Sequence, residues 1–444
     1  MPDSSPPTIA ASELRVGLYV HLDLSWMDHP FASSSFKIST QQQIDTIRSL
    51  GLQRLRYSPE RSDPPPSAEN SVHDALAGAA PAPSQPDTAA APTLGTDARP
   101  PPAAAPSATP WAQQWAQSQR LAQLQCERQY AESSRAVKAL FEQVQAAPQQ
   151  AGQASTELVQ GMLSQLNQNA ESALRLLADG AGDRSSQHAL NVAVLSVLLG
   201  QALKLDSEAL QALTLAALWH DVGKLELPQR VRLRDDTFSP SHQKLYQEHV
   251  LHSVLWGKRL GLPGPALLGI AQHHELADGS GFPLGLVAEK IAPIAHILAL
   301  VNRYDGLCNP ANPIKALTPH EALAQIFATL KARFEARTLG AFIRMMGIYP
   351  PGSVVQLSDG RYALVMSVNA ARPLKPKLRV YDAQPGVDEA AWLDLQAEPH
   401  LNIQRSLRPD QLPRPALNQL SPRPRVCYYF ERAVDLHPPD GARA

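Results

Sequence analysis

The hydrophobic and polar positions change period along the chain, and each change predicts a different kind of element. In the first 61 residues, the alternating runs LRVGLYVHLDL and LQRLRY predict strands, and STQQQIDTIRSLG between them predicts a helix that ends at Gly51. Residues 1–61 are therefore expected to form a small α/β module. From residue 62 to residue 110, Pro, Ala, Ser and Thr replace almost all core-forming residues, which predicts a flexible linker.

A helical spacing of apolar residues begins at Trp111 and continues almost without interruption to about Met346. It includes the run TELVQGMLSQLNQNAESALRLLAD, also read as helical. After Pro350-Pro351-Gly352 the alternation of strands returns, because VVQLSDGRYALVMSV places two β-prone runs around an Asp-Gly turn and LRVYDA adds another. The tail CYYFERAV fits either a helix or a strand. We therefore expect a mainly α chain whose last part, residues 349–444, is a small β-rich extension.

Charge and cysteine content narrow the classes of partner and compartment. Forty Lys and Arg residues against 41 Asp and Glu residues give a net charge of -1, which argues against DNA or an anionic membrane as a partner. The three cysteines form no CxxC pattern, and the chain shows neither a signal peptide nor an apolar run of the ~20 residues that a membrane span requires. We therefore expect a cytoplasmic protein.

The predicted helix that begins at Trp111 carries a candidate packing face. Trp111, Trp115, Leu121 and Leu124 are spaced on roughly one side of it. This face could pack on the rest of the chain or on a second copy, so a homodimer is an open alternative.

The stretch LAALWHDVGK, from Leu215 to Lys224, joins a helix that is apolar on every side to a histidine and an aspartate. Such a helix is expected to be buried, and an ionised carboxylate there costs several kcal/mol unless it is paired or bound to a metal. Because adjacent side chains diverge by about 100° around a helix, Asp221 can bridge two ions while His220 serves one. His273 and His274 repeat this adjacency near another helix end.

Other histidines of the helical region share a face with apolar residues, since side chains three, four and seven apart lie together. The groups are His188 with Val192, Leu195 and Leu199; His220 with Leu210, Leu213 and Ala217; His249 with Leu245 and Trp256; and His274 with Leu267, Ile270 and Ala271. One such histidine alone is usually a satisfied core residue. Several imidazoles that converge with a carboxylate, and without thiolates, indicate a site for iron, manganese or zinc.

The histidine pattern resembles the signature of the HD-GYP family, a branch of the HD metal-dependent phosphohydrolases. The residues that carry the resemblance are His188, then His220-Asp221-Val-Gly-Lys224, then His249, then His273-His274-Glu275-Leu-Ala-Asp278-Gly279-Ser-Gly281-Phe282-Pro283. Phe282 stands where the family typically has Tyr. The resemblance runs from about Glu157 to Met346 and implies a helical HD-type metallophosphohydrolase bundle at residues 157–348, preceded by a long connecting helix at 111–156.

The flanking regions resemble parts of the same bacterial proteins. The opening module is similar to the small domain that often precedes HD-GYP domains in proteobacteria, and IYPPGSVVQLSDGRYALV is similar to the segment that often follows them. The expected fold is therefore mainly α, with a small N-terminal α/β module and a small β-rich C-terminal unit.

The resemblance implies hydrolysis of the bacterial second messenger cyclic di-GMP to the linear dinucleotide pGpG or to GMP, through a hydroxide that bridges two ions. By analogy with the family, the first ion is held by His188, His220, Asp221 and Asn302, and the second by Asp221, His249, His273 and His274. The expected cofactors are two divalent ions, iron or manganese, with zinc and magnesium as alternatives.

Two lysines are candidates for contact with the substrate. Lys224 can place its ammonium on a phosphate oxygen beside the catalytic Asp221, although a solvated helix-end lysine is the alternative interpretation. Lys315 lies in a loop where family members often carry arginines, and it too could be a solvated lysine. A lysine is a less directional grip on phosphate than a bidentate arginine.

The turn DGSGFP follows the double histidine directly. Gly281 lets a ligand approach the backbone, Phe282 offers a ring on which a base can stack, and Pro283 stiffens the exit of the turn. An inter-helix turn with a core Phe is the alternative. Glu275 is expected to orient a liganding imidazole, or else to be a surface carboxylate at the helix end.

The sequence departs from the family at two metal-related positions. Asn302 stands where the family commonly has an Asp ligand, and its neutral carbonyl removes one negative charge from the first site. Asp305, three residues on, could replace it as a ligand or act as a hydrogen-bonding structural acid. Arg184 stands where some family members have a Glu that supports a third ion, so two ions are expected here.

Three functions follow from these observations. The first is a two-metal phosphodiesterase acting on cyclic di-GMP, with signalling proteins such as diguanylate cyclases as candidate partners. The second is a degenerate HD-GYP module that binds the dinucleotide or a signalling partner without turnover. The third is an HD phosphohydrolase acting on another nucleotide, which the turn DGSGFP disfavours. Metal content together with turnover of cyclic di-GMP separates the first two.

Overall fold

A computed structural model describes residues 7–23, 35–38, 41–63, 110–167, 172–177, 183–233, 238–369, 372–384 and 389–432. The predicted linker at residues 62–110 lies almost wholly outside these residues, as does the His73-Asp74 dipeptide. The chain divides into two compact units, Met1–Ser107 and Ala108–Ala444. Each unit is described separately.

The first unit is a small α/β fold. Its strands are β1 (Thr8–Ala10), β2 (Tyr19–His21), β3 (Ser35–Lys37) and β4 (Arg54–Tyr57), and its helix is α1 (Gln41–Ser49). The strands form an antiparallel sheet in the order β1-β4-β2-β3. The apolar face of α1, Ile44 and Ile47, packs with Val20 and Leu55 in one buried cluster. The predicted α/β module is therefore confirmed.

The second unit is mainly helical, as predicted. Its helices are α2 (Pro110–Gln143), α3 (Pro148–Asn167), α4 (Arg184–Ala202), α5 (Ser207–Trp219), α6 (Pro240–Gln247), α7 (His249–Arg259), α8 (Gly264–Gln272), α9 (Pro293–Cys308), α10 (Pro319–Thr329), α11 (Ala336–Met346) and α12 (Arg414–Leu420). None of the helices in the described part of the chain has the length and apolarity needed to cross a bilayer.

The centre of this unit is formed by helices that are apolar on nearly every side. In α4 the residues from Ala189 to Gly200 are all buried, and in α5 those from Ala212 to Trp219 are buried too. Both helices begin at a capping aspartate, because Asp183 accepts from the backbone N–H groups of Ser185 and Ser186, and Asp206 accepts from that of Ala209. These caps fix the residues at which α4 and α5 begin.

One part of the predicted helical run is wrong. Residues Ser172–Leu177 form strand β5, which pairs with the last strand of the described chain, β11 (Cys427–Arg432), and with β7 (Tyr362–Asn369). The buried guanidinium of Arg175 is paired with Glu431 and donates to the side-chain oxygens of Gln119 and Gln123. This long-range pairing outweighs the local helical pattern, and the part CYYFER of the ambiguous tail forms a strand.

The remaining strands complete an antiparallel sheet of seven strands. They are β6 (Val354–Leu357), β8 (Lys377–Val380), β9 (Ala391–Asp394) and β10 (Ile403–Leu407). The order is β10-β6-β7-β5-β11, with β8 between β7 and β9. The predicted hairpin is confirmed, since β6 and β7 pair antiparallel and Gly360, in the turn between them, has a φ of +89°. The sheet joins the β-rich extension to the helices, because β5 lies between α3 and α4 in the chain.

The predicted common face of the long helix is wrong as well. Trp115 is buried, whereas Leu121 and Leu124 are each 61% exposed, so the three side chains do not share a side. The side chain of Trp111 lies outside what the structure describes. The register of α2 is instead set by Cys126, Tyr130 and Val137, which face the main core.

Candidate metal centre

Six of the seven predicted ligands lie in or just after four different helices and converge in two groups. His188 lies in α4, His220 and Asp221 follow the end of α5, His249 begins α7, and His273 and His274 follow the end of α8. One candidate ligand atom from each of His188, His220 and Asp221 lies within 4.8 Å of the others, and the same holds for Asp221, His249, His273 and His274. Asp221 therefore belongs to both groups.

Backbone carbonyls orient three of the imidazoles. The Nδ1 of His220 donates to the carbonyl oxygen of Ala217 (2.8 Å), that of His249 to Tyr246 (2.5 Å), and that of His273 to Ile270 (2.6 Å). Each carbonyl lies three residues before its histidine. Since a carbonyl oxygen only accepts, Nδ1 carries the hydrogen and Nε2 presents its lone pair to the centre.

A carboxylate orients the fourth imidazole. His188 Nδ1 lies 2.6 Å from Oδ2 of Asp305, and Oδ1 of Asp305 accepts from the side-chain amides of Asn191 and Asn309, both at 2.9 Å. Asp305 is 1% exposed. Both of its oxygens are thus engaged, which is the hydrogen-bonding role of a structural acid rather than that of a replacement ligand.

The ring nitrogens face one another at short distances. Nε2 of His188 lies 3.2 Å from Nε2 of His220, and Nε2 of His249 lies 3.4 Å from Nε2 of His273. Two lone pairs directed at each other repel unless a proton or cation lies between them. Within the described residues, Oδ1 of Asp221 and Nε2 of His274 are buried without a hydrogen-bond partner. This donor set fits divalent cations.

The charges at the centre suit ligation at neutral pH. Burial lowers the pKa of His249 to about 4 and holds the pKa values of His273 and His274 well below the ordinary histidine value. Burial would raise the pKa of Asp221, but the charge of Lys224 and the contact with His220 hold it well below its usual range. The rings of His249, His273 and His274 are therefore neutral and the carboxylate of Asp221 is ionised, which are the ligating forms.

Lys224 is paired with the shared carboxylate. Its Nζ donates to Oδ2 of Asp221 (2.5 Å) and lies 5.4 Å from the centre of the Tyr246 ring. Burial would lower the pKa of Lys224, but the charge of Asp221 raises it above its ordinary value. The ammonium thus stays charged beside the centre. It is not the solvated helix-end lysine of the alternative interpretation, while its contact with a phosphate stays a prediction.

Gly223 holds the segment of Lys224 close to α7. A Cβ at this position would lie 2.2 Å from the carbonyl oxygen of His249, and the backbone N–H donates to Oγ of Ser253 (2.9 Å). Only glycine allows this approach without a shift of the backbone. This close approach was not predicted from the sequence, although a glycine two residues after Asp221 was a signal for close packing.

The turn after the double histidine packs on one of the ligands. A Cβ at Gly281 would lie 2.4 Å from the backbone nitrogen of Leu276, so the turn needs glycine there. The ring of Phe282 stacks on that of His274, with 4.4 Å between the ring centres. Pro283 is exposed. Stacking of a base on Phe282 stays a prediction.

The expectation for Glu275 is wrong in both of its forms. Its side chain is 1% exposed, and its two oxygens accept from the backbone N–H groups of Leu284 and Leu286 at 2.7 and 2.8 Å. Glu275 therefore stabilises the end of the turn and does not orient an imidazole. Its carboxylate can only accept hydrogen bonds, and the backbone N–H groups of the turn supply the donors. Sequence spacing gives no sign of that choice.

A cavity of about 830 Å³ opens onto the His–Asp centre. Its lining includes the predicted site residues His188, Asp221, Lys224, His273, His274, Gly281, Phe282, Asn302 and Lys315. Asn302 is partly exposed there, and Lys315 is exposed at the rim. The lining also includes Arg184 and Arg425. Neither was predicted from the sequence to place a positive charge in the cavity.

Three family models match successive parts of the chain. A domain of unknown function, DUF3391, matches residues 7–154, the HD domain matches residues 149–337, and a KOW domain associated with the HD domain matches residues 354–414. The HD match contains every predicted metal ligand.

Curated relatives and solved structures add to this. A cyclic di-GMP phosphodiesterase of Pseudomonas aeruginosa is 27% identical over 199 residues, which are 44% of this chain and 47% of that protein. The cyclic di-GMP phosphodiesterase response regulator RpfG of Xanthomonas campestris is 32% identical over 150 residues, 33% of this chain and 39% of that protein. The chain thus spans less than half the length of each. An HDG"Y"P protein from Bdellovibrio bacteriovorus is 14% identical, with a TM-score of 0.37 and coverage of 76% of this chain and 98% of that one.

The family assignment rests on the matched HD domain, on the order of the histidines and on the curated relatives. Together these findings support the HD-GYP family for the HD domain at residues 149–337, and a DUF3391 domain lies at its N-terminal side.

Proposed function

We propose that the chain is a metal-dependent phosphodiesterase that hydrolyses cyclic di-GMP to pGpG or GMP in bacterial signal transduction. The observation that carries the proposal is the sharing of Asp221 between two groups of ligand atoms at the base of a cavity of about 830 Å³. The relatives that are named as cyclic di-GMP phosphodiesterases support the choice of substrate.

Each group of ligands would hold one divalent ion. The first group is His188, His220, Asp221 and Asn302, and the second is Asp221, His249, His273 and His274. Iron and manganese suit this mixture of imidazole and oxygen ligands, and zinc or magnesium are alternatives. Such ions, when bound, neutralise charge on a phosphodiester and lower the pKa of a water molecule.

The residues of the chain prepare the site before any substrate arrives. Backbone carbonyls and Asp305 fix four of the five rings with Nε2 directed inward, so little reorganisation is needed. Lys224, charged and close to Asp221, adds positive potential on the side where a phosphate would enter. Gly281, Phe282 and Pro283 would border the nucleobase, and Lys315 would approach a phosphate from the rim.

A second candidate function is a module that binds cyclic di-GMP or a signalling protein, such as a diguanylate cyclase, without turnover. Asn302 favours it, because an amide carbonyl is a weaker ligand than a carboxylate and leaves the first group with one negative charge fewer. The three cysteines are free and buried, which agrees with a cytoplasmic location for either function.

Metal analysis and a turnover assay test the proposal together. The protein is purified without chelator, its iron, manganese and zinc are measured by mass spectrometry, and cyclic di-GMP is supplied with Mn²⁺ or anaerobic Fe²⁺. We expect about two ions per chain and accumulation of pGpG or GMP. Two ions without hydrolysis would favour the binding module, and a protein with neither metal nor turnover would contradict both candidates.

A further inference from the structure

Arg184 and Arg425 bring two guanidinium groups to the cavity from distant parts of the chain. Arg184 is the first residue of α4, one turn before His188, and Arg425 lies just before β11. Both line the cavity that contains the His–Asp centre, and both are half-buried.

The hydrogen bonds of these arginines go to neutral acceptors. Arg184 Nη2 donates to the carbonyl oxygen of Asn309 (2.8 Å), and Arg425 Nη1 donates to the side-chain oxygen of Gln187 (3.0 Å). Among the described residues, neither guanidinium lies within 4.0 Å of a carboxylate in an ion pair. Each keeps further N–H donors available, since a guanidinium has five.

The two guanidinium groups lie at the same turn of α4, because Arg425 donates to Gln187, three residues after Arg184. The pKa of Arg184 is lowered by burial first and then by the charge of Arg425, while the charge of Asp305 opposes this. Two like charges held at one wall of a cavity favour an anion between them.

The backbone beside Arg425 is hydrogen-bonded to the residues that surround His188. The carbonyl oxygen of Val426 accepts from the amides of Asn191 and Asn309, and its N–H donates to Oδ1 of Asn309, all at 2.9 Å. The same two amides donate to Asp305, which orients His188. Arg425 is thus positioned by the network that holds a candidate ligand, so its guanidinium is preorganised relative to that ligand.

We propose that Arg184 and Arg425 form a second anion-binding subsite that holds the phosphodiester which is not being cleaved. This rests on the proposed function, because a cyclic dinucleotide carries two phosphodiesters and only one of them can lie on the His–Asp centre at a time. Guanidinium groups bind phosphate oxygens in a bidentate fork, which a single lysine such as Lys315 cannot provide. The subsite makes the site selective for substrates that carry a second phosphate.

The subsite is tested with two substrates. Kinetics of cyclic di-GMP and of bis(p-nitrophenyl) phosphate, which has a single phosphodiester, are measured for the full chain and for Arg184→Gln and Arg425→Gln. We expect either change to raise KM for cyclic di-GMP about tenfold or more, as for loss of a charged hydrogen bond, with KM for the single phosphodiester within about twofold. Arg423→Gln is the matched control, since Arg423 belongs to the same segment but is exposed and outside the lining of the cavity.

Several outcomes would overturn the subsite. They are an unchanged KM for cyclic di-GMP in both variants, an equal effect on both substrates, or an equal effect of Arg423→Gln. Thermal unfolding checks that the variants are folded, and Arg425→Lys replaces Arg425→Gln if the latter is not. If the unaltered chain binds cyclic di-GMP without hydrolysing it, the proposed activity fails, and the dissociation constant then takes the place of KM with the same expected ratio.

Discussion

The two halves of the His–Asp centre share Asp221 but differ in their other ligands, because the second half has three imidazoles and the first has two. In the second half, His249 and His273 are fully buried imidazoles. In the first half, the side chain of His188 is 22% exposed and the fourth predicted ligand is the neutral Asn302. Since an imidazole is a stronger ligand for such ions than an amide carbonyl, and two imidazoles of the second half are shielded from water, we expect the second half to bind its ion more tightly.

The largest expected effect comes from the residue that the halves share. Asp221→Asn keeps the shape of the side chain but removes the negative charge from both ligand groups, so both ions should be lost and turnover should fall at least about 10³-fold. Metal analysis and the cyclic di-GMP assay measure this. Asp206→Asn is the matched control, because asparagine caps a helix as well as aspartate does. An Asp221→Asn protein with full activity would contradict the assigned role.

The next effect should be confined to the first half. Asp305→Asn removes the anion that orients His188, and loss of such a partner typically weakens metal binding about 10–100-fold. We expect one ion to be lost from Asp305→Asn during dialysis while the second is retained. Loss of both ions at equal chelator concentration would show that the two halves do not behave separately.

A smaller effect should strengthen the weaker half. Asn302→Asp supplies the missing charge and should tighten binding of the first ion about tenfold, with a rise in rate where occupancy is limiting. Titration with Mn²⁺ after chelation measures the affinity. Asn312→Asp, at an exposed position that also lines the cavity, is the control for a general effect of negative charge. No gain over that control would mean that another group already completes the site.

The smallest effect concerns the stability of the metal-free second half. The pKa of His249 is about 4 in the folded chain and about 6.5 when unfolded, so the unfolded chain binds more protons between these values. The free energy of unfolding should therefore fall as pH drops from about 6.5 to about 4, by up to about 1.4 kcal/mol per pH unit for each such imidazole. Urea unfolding of chelated protein measures the slope, and His249→Gln should reduce it. An unchanged slope in that variant would contradict this source of the pH dependence.

The inward position of the histidines could be predicted from the sequence because the signal is local. His249 and His274 share helix faces with apolar residues, and adjacent pairs such as His220-Asp221 splay from a helix end. The same reasoning gave the small opening sheet and the hairpin of β6 and β7, since alternation and an Asp-Gly turn are also local.

What the sequence did not reveal depends on contacts between distant residues. Strand β5 was predicted as helix, because its pairing with β7 and β11 and the burial of Arg175 against Glu431 have no local trace. The backbone N–H donors to Glu275 became clear only from the path of the turn. Arg425 lies far from the histidines in the chain, and only the sheet brings it to the cavity.

The hydrogen bonds of Val426 also set the order in which the site can be completed during synthesis. Asn191 and Asn309 are synthesised well before Val426. Their side-chain amides can donate to the carbonyl oxygen of Val426 only after that residue has left the ribosome. The segments that carry His249, His273 and His274 are synthesised before residue 426, so the hydrogen bonds around His188 are completed last, and an ion held there would be bound late in biogenesis.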